Sequence, residues 1–342
     1  MSLLFSPLEM TGLRLRNRII MPPMGTRMAT ADGWARDLHV HHYAARALGG
    51  VALVIVEATG VENRGRCHPT NLGLWNDTQA AALEKVCAAI HTAGAKAGIQ
   101  LQHGGRKAFG DYGPVAPSAV AFSADFPRPR ELTPAELPAV AEAFAQAAER
   151  AWQCGFDMVE LHGAHGYLLH QFLSPHSNRR EDDYGGSREN RLRFPLQVIQ
   201  AVREALPPTF PLWVRVSGDE YLPGGYTVDD MVFYCQAFRR FGVTAVDVSS
   251  GGNSPAPPLV FPGYQVAPAA RIRGEAEIPV MAVGRLGQAA LAEAVLSLGL
   301  ADLVGVGRPL LDNPFWPWQA ARELGSEDEL YAESLYLRHF KN

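Results

Sequence analysis

Eight short apolar or β-branched runs, separated by longer stretches of helical periodicity, constrain the fold of this 342-residue chain more than any other feature. Each run suits a strand buried on both faces, and the stretches between suit amphipathic helices. Eight strands alternating with helices are typical of a (β/α)₈ TIM barrel, an α/β fold. The predicted strands are Arg18–Met21, Val51–Val56, Lys96–Leu101, Phe156–Leu161, Leu212–Val216, Ala245–Val248, Ile278–Val283 and Asp302–Val306.

The helical stretches support the same fold, and several begin with Asp, Ser or Thr caps. A doubly wound open sheet is the alternative, but the segment PPMGTRM after the first strand is not the GxGxxG fingerprint of that fold. No linker or charge block divides the chain, which predicts one domain over residues 1–342 with a short N-terminal hairpin and a C-terminal tail over 325–342. The predicted helices include Asp37–Leu48, Asp77–Thr92, Pro134–Gln153, Ser187–Ala205, Thr227–Phe241, Gly287–Ser297 and Pro314–Leu324.

Composition favours a globular enzyme that acts on small molecules. The chain is 47% hydrophobic and 19% charged, and 31 basic against 35 acidic residues give a net charge of −4. That balance argues against disorder and against nucleic acid or a membrane surface as a partner. Neither a signal peptide nor an apolar run of about 18 residues is visible, so the cytoplasm is the expected location. The four cysteines form no CxxC pair, and no metal site is predicted.

Polar or backbone-exposing residues follow every predicted strand. In a TIM barrel the carboxyl ends of all the strands meet at one mouth, where the chemistry takes place. We therefore expect the following residues to lie around one mouth: Pro23, Met24, Ala58, Gln100, His103, His162, His165, Arg215, Ser249, Ser250, Gly284, Arg285, Gly307 and Arg308.

Two Gly-Arg pairs close the last two predicted strands, Gly284–Arg285 and Gly307–Arg308. Barrels commonly hold phosphate at these strand ends through glycine backbone N–H groups, which favours a phosphorylated ligand. The alternative is that each glycine only permits a tight turn. Arg215, inside the apolar run LWVRV, must either form an internal ion pair or face an anionic ligand.

Two histidines and a tyrosine lie within six residues in the segment ELHGAHGYLLHQFLSP. The imidazoles of His162 and His165 can direct donors at one substrate oxygen, and Tyr167 can deliver a proton. A metal site is the competing interpretation, but HxxH in a strand-end loop lacks the helical HExxH spacing and a third ligand. His103, like His39, His41 and His42, is expected to be structural.

Beyond these patterns, the chain resembles the old yellow enzyme family of FMN-dependent ene-reductases, most closely its thermophilic-like bacterial branch. The motifs that carry the resemblance include LFSPLEMTGLRLRNRIIMPPM, LGLWND, GIQLQHGGRKA, GFDMVELHGAHGYLLHQFLSPHSNRREDDYGGSRENR, FPGYQV and ADLVGVGRPLLDNP. The resemblance implies a non-covalent FMN across the barrel mouth. Its binding residues would be Pro23, Met24, Ala58, Gln100, Arg215, Gly284, Gly307 and Arg308, with Gly25, Thr26, Ser249 and Arg285 beside them.

The resemblance also implies a ping-pong reaction in one pocket. NADPH or NADH would reduce the flavin and leave, and an α,β-unsaturated substrate would then accept a hydride at its β-carbon. His162 and His165 would hold the activating oxygen and stabilise enolate charge, Tyr167 would protonate the α-carbon, and Arg215 would offset negative charge on the reduced flavin. Arg27, Lys107 and Arg338 complete the predicted substrate-binding set.

Three positions depart from the branch pattern. Gly25 stands where the branch usually has a cysteine, Thr26 is one residue beyond the threonine position used elsewhere in the family, and Arg27 replaces a usual tyrosine. The segment MGTR is similar to reductases of 2-enoates, but those carry an iron–sulfur motif and a second flavin domain. A flavin-binding barrel with another role, such as an NAD(P)H oxidase, is the alternative function.

The C-terminal segment YLRHF, from Tyr336 to Phe340, resembles a tail that the thermophilic-like branch passes into a neighbouring active site. Arg338 is therefore predicted to act in trans, in a homodimer or a dimer of dimers. A solvated tail is the alternative.

Overall fold

Eight parallel strands close into a barrel in this computed structural model, which describes residues 2–110 and 113–330. The barrel order is β10-β11-β12-β3-β4-β5-β8-β9. Each barrel strand therefore pairs with the next barrel strand along the chain, and β12 pairs with β3. The predicted TIM barrel is confirmed. The strands are β1 Leu8–Met10, β2 Leu13–Leu15, β3 Ile19–Met21, β4 Leu53–Gly60, β5 Lys96–Gln102, β6 Val115–Ala116, β7 Arg130–Glu131, β8 Met158–Gly163, β9 Leu212–Ser217, β10 Ala245–Ser249, β11 Val280–Ala282 and β12 Leu303–Gly305.

Helices surround the barrel. Two of the predicted helices, α1 and α2, match their predicted bounds, and the others shift by one to three residues at an end. The helices are α1 Asp37–Leu48, α2 Asp77–Thr92, α3 Leu137–Gln153, α4 Leu168–Leu173, α5 Arg188–Ala205, α6 Val228–Arg240, α7 Val266–Ala276, α8 Ala289–Ser297, α9 Arg308–Asp312 and α10 Trp316–Leu324.

Helices α4, α7 and α9 were not among the predicted helices. Helix α4 has six residues and α9 has five, too few to show a periodic apolar pattern. Helix α7 contains Pro268 and Gly274, which weaken the helical signal in its sequence. These helices are short or contain helix-breaking residues, so the periodicity of the sequence did not predict them.

The barrel interior changes from apolar to polar along the strands. Near the amino ends, Trp213 and Met158 pack with Leu13 and Leu15 of the antiparallel β1–β2 hairpin, which closes that end of the barrel. Side chains two residues apart on a strand point to the same face, so Glu160 points into the barrel as Met158 does. Glu160 lies nearer the carboxyl end of the strand. The hairpin predicted at the N-terminus therefore seals the base of the barrel, and polar groups are left at the mouth.

The last described residues belong to the body of the protein. After α10, a single 3₁₀ turn spans Glu327–Glu329, and Leu330 is buried against the main core. The predicted tail over 325–342 thus begins with residues that pack on the barrel. Arg338 and the rest of YLRHF lie outside the described residues.

Candidate active site

Two adjoining cavities open at the carboxyl ends of the barrel strands. The first, here called the histidine cavity, has a volume of about 500 Å³, and the second, the arginine cavity, has about 240 Å³. Pro23 and Arg215 line both, so the two form one continuous mouth. Predicted residues in the histidine cavity are Gly25, Arg27, Ala58, Gln100, Lys107, His162, His165 and Tyr167, and those in the arginine cavity are Met24, Ser249, Gly284, Arg285, Gly307 and Arg308.

His162 and His165 lie at the end of β8 and in the loop that follows. His162 Nδ1 accepts a hydrogen bond from the Ala164 N–H at 3.3 Å, which assigns the ring proton to Nε2. That nitrogen lies 3.3 Å from His165 Nδ1, and His165 Nε2 lies 2.7 Å from the Ser249 hydroxyl. One hydrogen bond thus joins His162 to His165, and a second joins His165 to Ser249. Presenting both donors to one substrate oxygen, as the sequence predicts, requires them to leave this chain of hydrogen bonds.

Both imidazoles are neutral at neutral pH. Burial lowers the pKa of His162 well below its ordinary value, and the nearby His165 ring and Arg215 guanidinium lower it further. Burial likewise lowers the pKa of His165, followed by the charges of Arg215 and Lys107. A neutral imidazole still has one N–H donor, so the pair can polarise a carbonyl oxygen without carrying a charge.

Tyr167 stacks edge-on against His162, with ring centroids 4.7 Å apart. Burial raises the pKa of its phenol, and the neighbouring Cys67 raises it further. The hydroxyl therefore remains protonated over the pH range in which proteins are stable. A protonated phenol beside two neutral imidazoles is a proton donor available to a bound substrate.

The loop that carries His165 and Tyr167 depends on left-handed backbone. His165 has φ 57° and Gly166 has φ 72°. A Cβ on Gly166 would come within 2.5 Å of the Gly252 carbonyl oxygen, so the loop packs directly against the loop after β10. The Leu168 N–H donates to the His103 carbonyl at 2.9 Å and starts α4. These contacts fix where the two side chains point.

His103 has the structural role expected of it. Its ring is buried, its Nδ1 accepts from the Gly105 N–H at 3.0 Å, and its Nε2 lies 2.7 Å from Glu62 Oε1. His39 is also buried and accepts from the Arg36 N–H at 3.0 Å. Neither ring lines the histidine or the arginine cavity in the described part of the chain.

Lys107 places its ammonium group inside the histidine cavity. It donates to the carbonyl oxygens of His165 at 3.0 Å and Gly252 at 3.3 Å, and lies 5.0 Å from the centroid of the Tyr167 ring. Burial lowers the pKa of this amine to about 8. The lysine thus adds positive charge beside the proposed proton donor and links the loops after β8 and β10.

The segment after β3 contains the three departures from the branch pattern. Gly25 and Arg27 line the histidine cavity, and Arg27 adopts a left-handed φ of 57°. Thr26 instead turns its hydroxyl toward Glu57, and its N–H donates to the same carboxylate at 2.8 Å. Thr26 therefore lines neither cavity in the described residues and serves to anchor this segment to β4.

Gln100, Arg215 and the two Gly-Arg turns have the chemistry that FMN requires. Arg215 Nη1 donates to the Pro23 carbonyl at 3.4 Å, and Gln100 lines the histidine cavity beside it. The arginine cavity combines three guanidinium groups, those of Arg215, Arg285 and Arg308, with glycines, and a Cβ on Gly307 would approach Met24 Sδ to 3.2 Å. Glycine turns with flanking arginines suit a phosphate, while Gln100 and Arg215 suit a polar ring edge. The residues present fit the cofactor.

Several cavity residues were not predicted. Gln102 lies two positions after Gln100 on β5, so the period of two along a strand could have indicated it. Others come from loops that fold across the mouth, and their sequence carries no signal of that path. The additional residues include Cys67, His68, Asn71 and Phe126 in the histidine cavity, and Tyr264 and Gln265 in the arginine cavity.

Metal-binding clusters and membrane-spanning helices are absent from the described residues, 2–110 and 113–330. Their His, Cys, Asp and Glu side chains form no group of three suited to hold a metal ion. None of their helices is long and apolar enough to cross a membrane.

Comparison with known proteins identifies the family. The family model described as "NADH:flavin oxidoreductase / NADH oxidase family" matches residues 3–327. The chain belongs to this family. It is therefore an NAD(P)H-dependent flavin oxidoreductase with FMN as its flavin, which agrees with the glycine and arginine turns at the mouth.

Relatives and solved structures of this flavin oxidoreductase family agree in extent and fold. A protein named NADPH dehydrogenase from Geobacillus thermodenitrificans (strain NG80-2) is 49% identical over 329 residues, 96% of each chain. Morphinone reductase in complex with tetrahydroNAD superimposes with a TM-score of 0.81 at 32% identity, over 96% of this chain and 92% of that one. An old yellow enzyme homologue from Zymomonas mobilis gives 0.82 at 28% identity, over 98% and 95%. The resemblance to the old yellow enzyme family is confirmed.

Proposed function

We propose that this flavin oxidoreductase is an ene-reductase that reduces the activated C=C bond of α,β-unsaturated carbonyl compounds with NAD(P)H. The observation that carries the proposal is the grouping of two neutral imidazoles and a protonated tyrosine in the histidine cavity, next to the arginine cavity. Bound FMN supplies a two-electron carrier that allows the nicotinamide and the alkene to use the cavity in turn.

The residues divide the work between binding and proton delivery. His162 and His165 donate hydrogen bonds to the carbonyl oxygen, which makes the β-carbon more electrophilic and stabilises the enolate that forms when a hydride arrives there. Tyr167 gives its proton to the α-carbon, and solvent restores that proton afterwards. The sum is one hydride and one proton added across the C=C bond, with NAD(P)H oxidised to NAD(P)⁺.

The positive groups of the cavity support the choice of a carbonyl substrate. Lys107 and Arg27 line the same space as the histidines, so an electron-rich oxygen experiences a favourable field there. NADPH is the proposed donor, because the relative described above is named NADPH dehydrogenase. The structure of morphinone reductase in complex with tetrahydroNAD supports a nicotinamide donor for this chain.

The test is anaerobic NADPH oxidation with and without 2-cyclohexenone, with saturated cyclohexanone as the control. We expect oxidation to depend on the enone and to yield the saturated ketone. If NADPH is consumed only when oxygen is admitted, and the enone adds nothing, the protein is an NAD(P)H oxidase and the proposal is wrong.

Tyr167→Phe is the matched variant for this test, because it removes one oxygen and retains the ring beside His162. Stopped-flow kinetics should show flavin reduction by NADPH nearly unchanged and reoxidation by the enone slowed by about 10²–10⁴-fold, the usual contribution of a positioned proton donor. If reoxidation is as fast as in the parent, another group delivers the proton.

A further inference from the structure

A cluster of four polar side chains lies inside the barrel, beneath the mouth. Gln100 on β5, Glu160 on β8, Arg215 on β9 and Asp247 on β10 occupy successive strands of the barrel. Gln100 pairs in register with Glu160, and Arg215 with Asp247. Glu160 and Asp247 are completely buried. Gln100 and Arg215 line the mouth, whereas the two buried carboxyl groups have no part in the proposed reaction.

The contacts within the cluster are unequal. The Gln100 amide donates to Glu160 Oε1 at 2.7 Å, while Arg215 Nε lies 2.9 Å from Asp247 Oδ2. Among the described residues, Glu160 Oε2 is buried without a hydrogen-bond partner, and so are both Asp247 carboxylate oxygens, whose contact with Arg215 is an ion pair and not a hydrogen bond. Glu160 therefore has one neutral donor, whereas Asp247 has a full positive charge beside it. An ionised carboxylate is much better stabilised at Asp247 than at Glu160.

Charge counting leads to the same assignment. With both carboxylates ionised, one guanidinium would face two negative charges in a buried space, and the cluster would have a net charge of −1. One proton on Glu160 makes the cluster neutral, which removes an uncompensated buried charge. Because two acids this close titrate as a pair, the first proton belongs to the less stabilised site.

The pKa directions agree with this geometry. Burial raises the pKa of Glu160 well above its usual range, the charge of Asp247 raises it further, and Arg215 and Gln100 oppose the change. Burial raises the pKa of Asp247 to about 6, against the opposing effect of Arg215. These are the charged and polar groups that act on the two acids from β5, β8, β9 and β10.

We propose that Glu160 is protonated at neutral pH and that ionised Asp247 neutralises Arg215, so that this carboxylate determines how much positive charge Arg215 presents to FMN. The inference depends on the proposed position of FMN at Arg215. Asp247 acts through the arginine and, among the described residues, lines neither cavity, so it is a positioning residue. Reduction adds negative charge to the flavin, and a partly neutralised arginine stabilises that charge less than a free one.

Midpoint potentials of the holoenzyme at pH 8 test the proposal. Asp247→Asn, made in the Glu160→Gln background so that Glu160 cannot ionise in its place, leaves Arg215 uncompensated and should shift the FMN potential to a more positive value. Glu160→Gln replaces a neutral acid by a neutral amide and should leave the potential close to that of the parent. The proposal is overturned if the Asp247 variant has the parent's potential, or if the Glu160 variant shifts as far in the same direction.

Arg215→Gln distinguishes this inference from the proposed FMN site. If Arg215→Gln lowers the potential or the FMN content but Asp247→Asn changes neither, the site stands and the role of Asp247 is wrong. If none of the three variants alters the potential, the visible spectrum or the FMN content, FMN does not lie at Arg215 and both proposals fail.

Infrared spectroscopy of the holoenzyme at pH 8 tests the proton on Glu160 without relying on the stability of the Asp247 variant. The parent should show the carbonyl stretch of a protonated carboxylic acid, and the band should vanish in Glu160→Gln. Glu57 is a second buried carboxyl group whose pKa is raised by burial, so Glu57→Gln is the control in which the band assigned to Glu160 must remain. A parent without an acid band, or a band unaffected in Glu160→Gln, overturns the proposal.

Discussion

Removing one imidazole of the His162–His165 pair should damage catalysis more than cofactor binding. His162→Ala or His165→Ala deletes a donor to the substrate oxygen, which costs about 2.7–4 kcal/mol in the barrier, or about 10²–10³-fold in rate, if the oxyanion-hole scale applies. Steady-state reduction of 2-cyclohexenone and the visible flavin spectrum measure the two effects separately. If both variants lose FMN in proportion to activity, the histidines are structural.

Lys107 should make the stability of the protein depend on pH in the alkaline range. Its folded pKa of about 8 lies below the ordinary value of 10.5, so the unfolded chain binds more protons between these values and the folded state gains stability as the pH rises through them. At 1.36 kcal/mol per pKa unit the gain is about 3 kcal/mol over the whole range.

Lys107→Met removes this dependence and keeps a side chain of similar length. Urea unfolding at pH 7.5 and pH 10 should show the parent gaining stability relative to the variant between the two conditions. Parallel changes in both proteins would mean that the amine titrates normally. Enone reduction should also fall in the variant, because the cavity loses a positive charge.

At the scale of elements, the β8–α4 loop is held by close backbone packing. Gly166→Ala places a methyl group 2.5 Å from the Gly252 carbonyl oxygen on a residue with φ 72°. We expect a loss of more than about 1 kcal/mol in the free energy of unfolding, because the strain adds to the clash. Activity should fall with it, since His165 and Tyr167 flank the residue.

Gly186→Ala is the control, since Gly186 also has a left-handed φ, of 75°, and an added Cβ would meet nothing within 4 Å among the described residues. It carries the conformational strain without the clash. Thermal unfolding and enone reduction of the two variants separate the contributions, and equal effects would show that the approach of the two loops is unimportant.

The barrel elements could be predicted from the sequence, because strands buried on both faces form apolar runs that few other structures require. The strand ends likewise placed Gln100, Arg215 and the Gly-Arg pairs at the mouth. Cys67 and Phe126 could not be found this way, since their positions depend on long loops crossing the mouth. Nor could the hydrogen bond between His165 and Ser249, which joins the loop after β8 to the end of β10 and follows from side-chain orientation.

For the whole molecule, the C-terminal segment gives a test of assembly. We propose a two-fold homodimer or a dimer of dimers in which Arg338, outside the described residues, reaches the partner's cavity. Truncation before Tyr336 should raise KM for the enone while the flavin remains bound. It should also lower the number of chains per particle in solution. Kinetics, light scattering and the visible spectrum of the truncated protein decide the matter. Unchanged KM and mass would show that the segment contributes to neither.

The structure has room for a side chain at Gly25 without a change in the backbone around it. Of the atoms in the described residues, a Cβ added there would find only Glu57 Oε2 within 4 Å, at 3.9 Å, while the Glu57 carboxylate accepts a hydrogen bond from the neighbouring Thr26 N–H. The shape of the segment therefore does not depend on which side chain residue 25 carries. Cysteine, serine or threonine can replace Gly25 at the mouth without compensating substitutions elsewhere. Related proteins can therefore diverge at this position by single substitutions.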